Sequence, residues 1–261
     1  MDMFLVLYLC GLFSFLGLFL LFTHKYVNPY TLTLYFGKKG AGKTTNLTKI
    51  ALKHIARGWT VYSTEPIVGT YHIEPRDIGY VKLVDYNFKP FDINEYKGIK
   101  RFFMRIYNFF FPRKPKILLL IDEVGLVWHC RDFKSFKPEV RRFFKYQRHK
   151  HIKCVMFSQS FDVDKTLRDL TDNMFLISNV ARVFSYGKKI RKFIDIKETR
   201  EDGSSTLAEC FEFESLFVPF SRSLTFIPYW SKYFDSFEDD VDKDMPLHDC
   251  NLVFLGRRKA S

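Results

Sequence analysis

The residues best suited to chemistry in this sequence form a glycine-rich turn from Gly37 to Thr44. The turn matches the spacing G-x-x-x-x-G-K-T without a mismatch. Glycines in such a loop let successive backbone N–H groups point at one phosphate. The lysine reaches the β- and γ-phosphates, and the hydroxyl of the last residue holds Mg²⁺. The loop therefore predicts a site for a nucleoside triphosphate with its metal ion.

The sequence on either side of this turn supports the same interpretation. A short run of strand-forming residues, Leu32 to Phe36, precedes the turn, and apolar residues then recur every three or four positions, as in a helix. The N-terminus of that helix adds its free N–H groups and dipole to the anion site. A surface turn rich in glycine and lysine is the alternative, and it needs neither flanking element. The predicted nucleotide contacts are Gly37, Lys38, Lys39, Gly40, Ala41, Gly42, Lys43, Thr44 and Thr45.

A pair of acids, Asp122 and Glu123, follows an unbroken apolar run from Ile117 to Ile121. Such a run is typical of a strand that is buried on both faces of a parallel sheet. In ATPases with a phosphate loop, an aspartate at this place accepts a hydrogen bond from Mg²⁺-bound water, and an adjacent glutamate polarises the attacking water. We expect Thr44 and Asp122 to serve the metal and Glu123 to act as the base. Capping of the next helix is the alternative role for these acids.

Two further candidates for catalysis come from the next part of the chain. Cys154 to Phe157 predicts a strand beside that of Asp122, with Gln159 just after it. The side-chain amide of Gln159 would hold a water molecule against the γ-phosphate. The alternative is that Gln159 is an ordinary loop residue. An arginine from a neighbouring subunit would supply extra positive charge to the transferred phosphoryl group. Arg141, Arg142 and Arg148 are candidates, and we favour Arg148.

The alternation of strands and helices predicts an α/β fold with a mostly parallel central sheet and flanking helices. We expect this ATPase domain to span residues 24–215, followed by a partly ordered tail at 216–261. Within the domain, Val180 to Ile196 and Cys210 to Phe213 predict a hairpin around the turn Glu201 to Ser205.

The N-terminal stretch from Phe4 to Phe22 carries no charge. As a helix it would be about 28 Å long, close to the thickness of a bilayer core. We therefore predict a single transmembrane helix within residues 1–23. A signal peptide would need a basic start and a small-residue cleavage site, and both are missing. Lysines follow the stretch at 25, 38 and 39, which predicts an outside N-terminus and a cytoplasmic ATPase domain.

The composition points to an anionic partner. The formal net charge is +12, which suits contact with nucleic acid or with the inner membrane surface. The most basic and aromatic stretch, Asp92 to Phe111, is expected to be helical. It would lie on a membrane surface, stack on single-stranded bases, or pack into the core with a solvated edge. The five cysteines are scattered and show no metal-binding spacing, as expected of reduced thiols.

Several motifs together resemble the zonula occludens toxin (Zot) family. These are the phosphate loop, the IDEVG segment, Tyr146-Gln147-Arg148-His149, Ser158-Gln159, Asp164 and Leu167-Arg168-Asp169-Leu170. The resemblance covers roughly Leu32 to Ile177. The family contains the assembly ATPases of filamentous phages, which are related to the FtsK/HerA motor proteins.

The resemblance implies an ATPase of the host inner membrane that binds ATP and Mg²⁺. It also implies a ring of identical subunits, for which a hexamer is one expected size. Such a protein would extrude single-stranded DNA while coat protein assembles around it. Members often carry their membrane span after the ATPase domain, whereas the span predicted here comes first. Two other functions remain open, a DNA-packaging or conjugative translocase and a non-hydrolysing, nucleotide-gated membrane scaffold. A small-molecule kinase fits poorly, because its lid-type arginine pattern is missing.

Overall fold

The structure is a computed structural model that describes residues 3–24, 26–131, 136–197, 206–233 and 253–254. The chain divides into two compact units. One consists of Met1–Pro29 and Phe88–Pro115, and the other of Tyr30–Asn87 and Lys116–Ser261. The turn predicted at Glu201 to Ser205 lies outside the described residues, as does the tail after Tyr233 except for two residues.

The second unit is built on a sheet that has nine strands among the described residues. In chain order the strands are β1 (Leu32–Phe36), β2 (Thr60–Ser63), β3 (Tyr71–His72), β4 (Val81–Lys82), β5 (Ile117–Ile121), β6 (Ile152–Ser158), β7 (Asn173–Val180), β8 (Phe184–Lys197), β9 (Thr206–Phe213), β10 (Arg222–Phe226) and β11 (Val253–Phe254). The sheet runs β10-β8-β7-β1-β6-β5-β2-β3, β9 pairs with β8, and β4 and β11 form a separate pair. All neighbours from β7 to β3 are parallel, and β8 pairs antiparallel with β7, β9 and β10. The predicted mostly parallel α/β sheet is confirmed.

The helices are α1 (Met3–His24), α2 (Lys43–Ile55), α3 (Gly98–Phe110), α4 (Val124–Val127), α5 (Pro138–Tyr146), α6 (Lys165–Asp169) and α7 (Ile227–Trp230). Short 3₁₀ turns lie at Pro75–Asp77, Ile93–Glu95 and Ser231–Tyr233. Helices α1 and α3 belong to the first unit, and the others belong to the second.

Strand β6 lies between β1 and β5 in the sheet, and the carboxyl ends of these three strands form the edge that carries the candidate site. Leu34 of β1 is in register with Met156 of β6, and Leu119 of β5 is in register with Cys154. The three strands are parallel, so their carboxyl ends meet at one edge. The strand that leads to Gln159 therefore lies beside the strand that leads to Asp122, as predicted.

The core lies on both faces of β5, which explains its unbroken apolar run. Leu118 and Leu120 pack on one face against Leu47 and Ala51 of α2. Leu119 and its alternating neighbours pack on the other face, in the cluster that holds Phe143 and Phe144 of α5. All five residues of β5 are buried.

The structure differs from the sequence-based prediction in the strands that follow β7. The strand predicted from Val180 starts only at Phe184, because Ala181 and Arg182 reverse the chain between β7 and β8 with φ angles of 51° and 59°. This turn contains no glycine, so the sequence does not indicate it. The segment Arg222–Phe226, which falls in the predicted tail, forms β10 in the main sheet.

In the first unit, α1 covers the whole uncharged stretch from Phe4 to Phe22. Within the described parts of the chain, however, none of the helices meets the length and apolarity required to cross a bilayer. The anchor at residues 1–23 is therefore not supported here and stays a prediction from the sequence.

Replacing Leu119 with alanine should destabilise the second unit strongly. The side chain of Leu119 is 0% exposed in the centre of β5. A buried leucine truncated to alanine loses about 2–5 kcal/mol of unfolding free energy through lost burial and the cavity left behind. Leu126→Ala is the matched control, because Leu126 is 82% exposed. Denaturant unfolding of both variants checks this, and equal losses would show that the core is placed wrongly.

Candidate functional site

The phosphate loop is closed by the lysine that starts α2. Lys43 is only 8% exposed. Its Nζ donates to the carbonyl oxygen of Gly37 at 3.1 Å and lies 3.5 Å from that of Lys38. Gly40 and Gly42 take left-handed φ angles of 78° and 84°, which disfavour other residues. The loop is thus curled around a buried cation, as a phosphate site requires.

Two glycines of the loop are also required by the strands behind them. A Cβ atom at Gly37 would overlap the carbonyl oxygen of Ile177 in β7. At Gly42 it would lie 2.9 Å from the Cβ of Ser185 in β8. The loop therefore packs so closely on β7 and β8 that side chains are excluded on that side as well.

The two predicted acids lie beside this loop. Glu123 Oε1 is 3.9 Å from Lys43 Nζ. Glu123 has a left-handed backbone (φ 47°, ψ 46°) and makes no side-chain cap to α4, which argues against a capping role. Its N–H donates to Asp122 Oδ1 at 2.9 Å, and the N–H of Asp122 donates to Thr64 Oγ1 at 2.9 Å. The sheet therefore brings together Lys43, Asp122 and Glu123 from two distant segments.

The surroundings of Asp122 suit a bound cation. The pKa of Asp122 is raised to about 6, chiefly by burial and also by the charges of Glu65 and Glu123, while the Glu123 N–H and Lys43 act in the opposite direction. A carboxylate that is costly to ionise gains most from a divalent ion. Thr44, in the first turn of α2, would add a hydroxyl oxygen, and hydroxyl and carboxylate oxygens are ligands that Mg²⁺ accepts. The donor set therefore fits the predicted metal.

Glu65 is a further acid of this site that the sequence did not identify. It follows β2, which pairs with β5, and it acts electrostatically on Asp122. Its N–H donates to Ser63 Oγ at 3.1 Å. In the sequence Glu65 is followed by Pro66, a pair typical of the end of a strand. An acid at the carboxyl end of a strand would have been the signal, once β2 was known to neighbour β5.

A buried polar network braces the phosphate loop from behind. Asn46 Nδ2 donates to the carbonyl oxygen of Gly42 at 2.8 Å and to Ser185 Oγ at 2.7 Å. Ser185 Oγ in turn donates to the carbonyl oxygen of Ala41 at 2.8 Å, and Thr225 Oγ1 donates to Asn46 Oδ1 at 2.6 Å. The antiparallel strands β8 and β10 thus hold the loop in place. No local sequence pattern indicates this contact, because its partners are far apart in the chain.

Gln159 lies just after β6, at the edge that carries the loop and the acids, and it is exposed. The preceding carbonyl oxygen, of Ser158, accepts the N–H of Gly37 at 3.2 Å. The strand end that leads to Gln159 is therefore bonded directly to the phosphate loop. Its role as a γ-phosphate sensor stays a prediction.

Arg148 lies at the opposite edge of the sheet. It is exposed and precedes β6, whose 7 residues separate it from the nucleotide edge by about 23 Å. The neighbouring Gln147 bonds the carbonyl oxygen of Tyr30 at 3.2 Å, just before β1, which confirms this edge. Arg148 thus does not reach the loop of its own chain. Action on a neighbouring subunit stays a prediction, and the same holds for Arg141 and Arg142, which are also exposed.

Comparison with known proteins returns no matching family model and no matching curated protein. Solved structures with a similar arrangement include the N-terminal domain of zonular occludens toxin from Neisseria meningitidis, at 16% identity and a TM-score of 0.43, covering 79% of this chain and 99% of that one. The genome packaging NTPase of Sulfolobus turreted icosahedral virus 2 in complex with ATP-gammaS has 10% identity and a TM-score of 0.38, covering 69% and 98%. EssC (ATPases 2 and 3) from Geobacillus thermodenitrificans has 13% identity and a TM-score of 0.36, covering 56% and 32%.

The strand order and the phosphate loop of this chain define a P-loop NTPase fold. The similar structures have identities of 16% or less and TM-scores of 0.43 or less, so they carry no argument about the function of this chain. Because those similarities are distant, the assignment of the site rests on the geometry of Lys43, Asp122 and Glu123 in this chain.

Replacing Asp122 with asparagine should stabilise the nucleotide-free protein above about pH 6. The folded pKa of Asp122, about 6, exceeds the ordinary value of 3.8, so its ionisation opposes folding increasingly as pH rises between these values. The penalty approaches about 3 kcal/mol at neutral pH and is absent below about pH 4.

Thermal unfolding of the wild type and of the variant, at about pH 4 and at neutral pH, checks this prediction. Asp162→Asn is the control, because Asp162 is exposed, and it should change nothing. A variant that is less stable than the wild type at neutral pH would contradict the expected environment of Asp122.

Replacing Ser185 with alanine should loosen the phosphate loop. The change removes the hydroxyl that donates to Ala41 and accepts from Asn46. Loss of buried partners costs about 1–3 kcal/mol, and we expect weaker nucleotide binding as well. Calorimetry with a nonhydrolysable ATP analogue measures the affinity. Ser178→Ala on the exposed part of β7 is the control, and equal affinities in both variants would show that the brace does not support the site.

Proposed function

We propose that this protein is a membrane-associated ATP hydrolase that uses ATP and Mg²⁺ to drive filamentous phage assembly and extrusion. The observation that carries the hydrolase part is the meeting of Lys43, Asp122 and Glu123 at one edge of the sheet, with Glu123 Oε1 3.9 Å from Lys43 Nζ.

Each side chain of this site has a proposed role in the reaction. The loop amides and Lys43 would bind the β- and γ-phosphates, and Thr44 and Asp122 would hold Mg²⁺, which neutralises the developing phosphate charge. Lys43 would exchange its pairing with Glu123 for phosphate oxygens, because phosphate carries more charge than one carboxylate. Glu123 would then be released to orient and deprotonate the attacking water. Gln159, after the neighbouring strand β6, would sense the presence of the γ-phosphate.

The setting of the reaction is proposed from the sequence. The uncharged stretch from Phe4 to Phe22 supports a place at the host inner membrane, with the N-terminus outside and the ATPase domain in the cytoplasm. A ring of identical subunits is supported by the exposed Arg148 at the edge away from its own nucleotide site. The resemblance to the Zot family supports single-stranded DNA and coat protein as the partners.

Two substitutions should separate binding from hydrolysis. Lys43→Ala should abolish ATP binding, because it removes the buried cation of the loop. Glu123→Gln should keep binding but lower turnover by about 100-fold or more, because the base is lost. Phosphate release and nucleotide affinity, measured on the assembled protein, check both expectations.

Matched controls keep these results specific. Lys53→Ala, on the exposed end of α2, and Glu139→Gln, at the exposed start of α5, should leave binding and turnover unchanged. Normal binding by Lys43→Ala would refute the pocket. Unchanged turnover in Glu123→Gln would instead favour the nucleotide-gated scaffold.

The polymer that is moved can be tested in the same assay. Stimulation of turnover by single-stranded DNA together with coat protein would support phage extrusion. Stimulation by DNA alone, with no response to coat protein, would favour a packaging or conjugative translocase.

A further inference from the structure

Helix α3 in the first unit exposes an apolar face. Ile99 is 78% exposed and Phe103 is 62% exposed, and no residue of the helix is buried. The further exposed apolar side chains are Phe102, Ile106, Tyr107 and Phe109. The prediction that this helix packs into the core with a solvated edge is therefore wrong. Such an exposed patch on a helix marks a contact surface.

The charges of α3 lie on the opposite side. At about 100° per residue, the exposed apolar side chains share one half of the helix, and Lys100, Arg101, Arg105 and Asn108 share the other with the half-buried Met104. Residues 97–116 include seven lysines and arginines and no acid. An apolar half bordered by cations alone complements a surface that is apolar inside and anionic outside.

The apolar face of α3 continues into a second apolar helix of the same unit. The ring of Phe110, near the end of α3, meets that of Phe22 in α1 edge to face, with centroids 5.3 Å apart. Helix α1 itself exposes apolar side chains, such as Phe13 and Phe15. A ring contact thus joins two helices of the first unit that both expose apolar side chains.

We propose that α3 is an interfacial helix that lies on a bilayer with anionic headgroups. Its apolar half would enter the acyl boundary, and its lysines and arginines would contact phosphate groups of the lipids. Single-stranded nucleic acid suits this helix less well, because base stacking needs aromatic rings and cations in the same groove. In α3 the exposed rings lie mainly on one half of the helix and the cations on the other. Lipid contact of this kind requires no nucleotide turnover.

The test places a tryptophan on each side of the helix in the full chain. Phe103→Trp probes the apolar half, and Asn108→Trp, on the polar half, is the matched control. Each protein is mixed with vesicles of brominated phosphatidylcholine, with and without phosphatidylglycerol. The difference from the parent protein isolates the added indole from Trp59, Trp128 and Trp230.

We expect strong quenching of the indole at 103 in vesicles that contain phosphatidylglycerol, and weak quenching at 108. Replacing Lys100 with glutamine should raise the phosphatidylglycerol content needed for half-maximal quenching by about fivefold. Adding Lys43→Ala to the Phe103→Trp protein should change nothing, so a failure of the proposed hydrolase and a failure of the lipid contact give different results.

Three outcomes would overturn the proposal. The indole at 103 could remain unquenched in all vesicles, or the indoles at 103 and 108 could be quenched equally, which would mean that the helix has no preferred side toward lipid. A single-stranded oligonucleotide that alters the fluorescence at 103, where vesicles do not, would assign the surface to nucleic acid.

Discussion

The parallel pairing of β6 with β1 on one side and β5 on the other is the constraint on which the candidate site depends. Each strand brings one part of the chemistry to its carboxyl end: the phosphate loop, the acids, and Gln159. The N–H of Gly37 even bonds the carbonyl oxygen of Ser158 at 3.2 Å, so two of these ends are joined directly. A shift of one residue in the pairing of β5 with β6 would exchange the faces to which the side chains of β5 point. It would also separate the acids from Lys43.

The electrostatics of the site are balanced for ligands that carry both signs of charge. Lys43 is buried against carbonyl oxygens and one carboxylate, and Asp122 is partly buried near two other acids. Each group is costly when it stands without an opposite charge. A triphosphate with its metal ion would supply an anion at the lysine and a cation at the acids. The same cluster that costs stability in the free protein would therefore favour the proposed bound state.

The sequence could predict the parts of the site that are encoded locally. The loop and the acids are short motifs, and the unbroken apolar run correctly indicated a strand buried on both faces. The brace through Ser185 and Thr225 could not be predicted, because its residues lie 139 and 179 positions from Asn46. Periodicity showed that α3 has one apolar side, but only the structure showed that this side lies open.

The two stretches of the second unit that flank residues 88–115 are fastened together by Asp85. Asp85 precedes these residues, and its carboxylate accepts the N–H of Lys116, which follows them, at 2.6 Å. The other oxygen of Asp85 accepts from Thr60 Oγ1 at the start of β2, also at 2.6 Å. The chain therefore leaves and rejoins the sheet at one point, next to the first residue of β5. The bond to Lys116 therefore helps to fix the start of β5, the strand that brings Asp122 and Glu123 to the nucleotide edge.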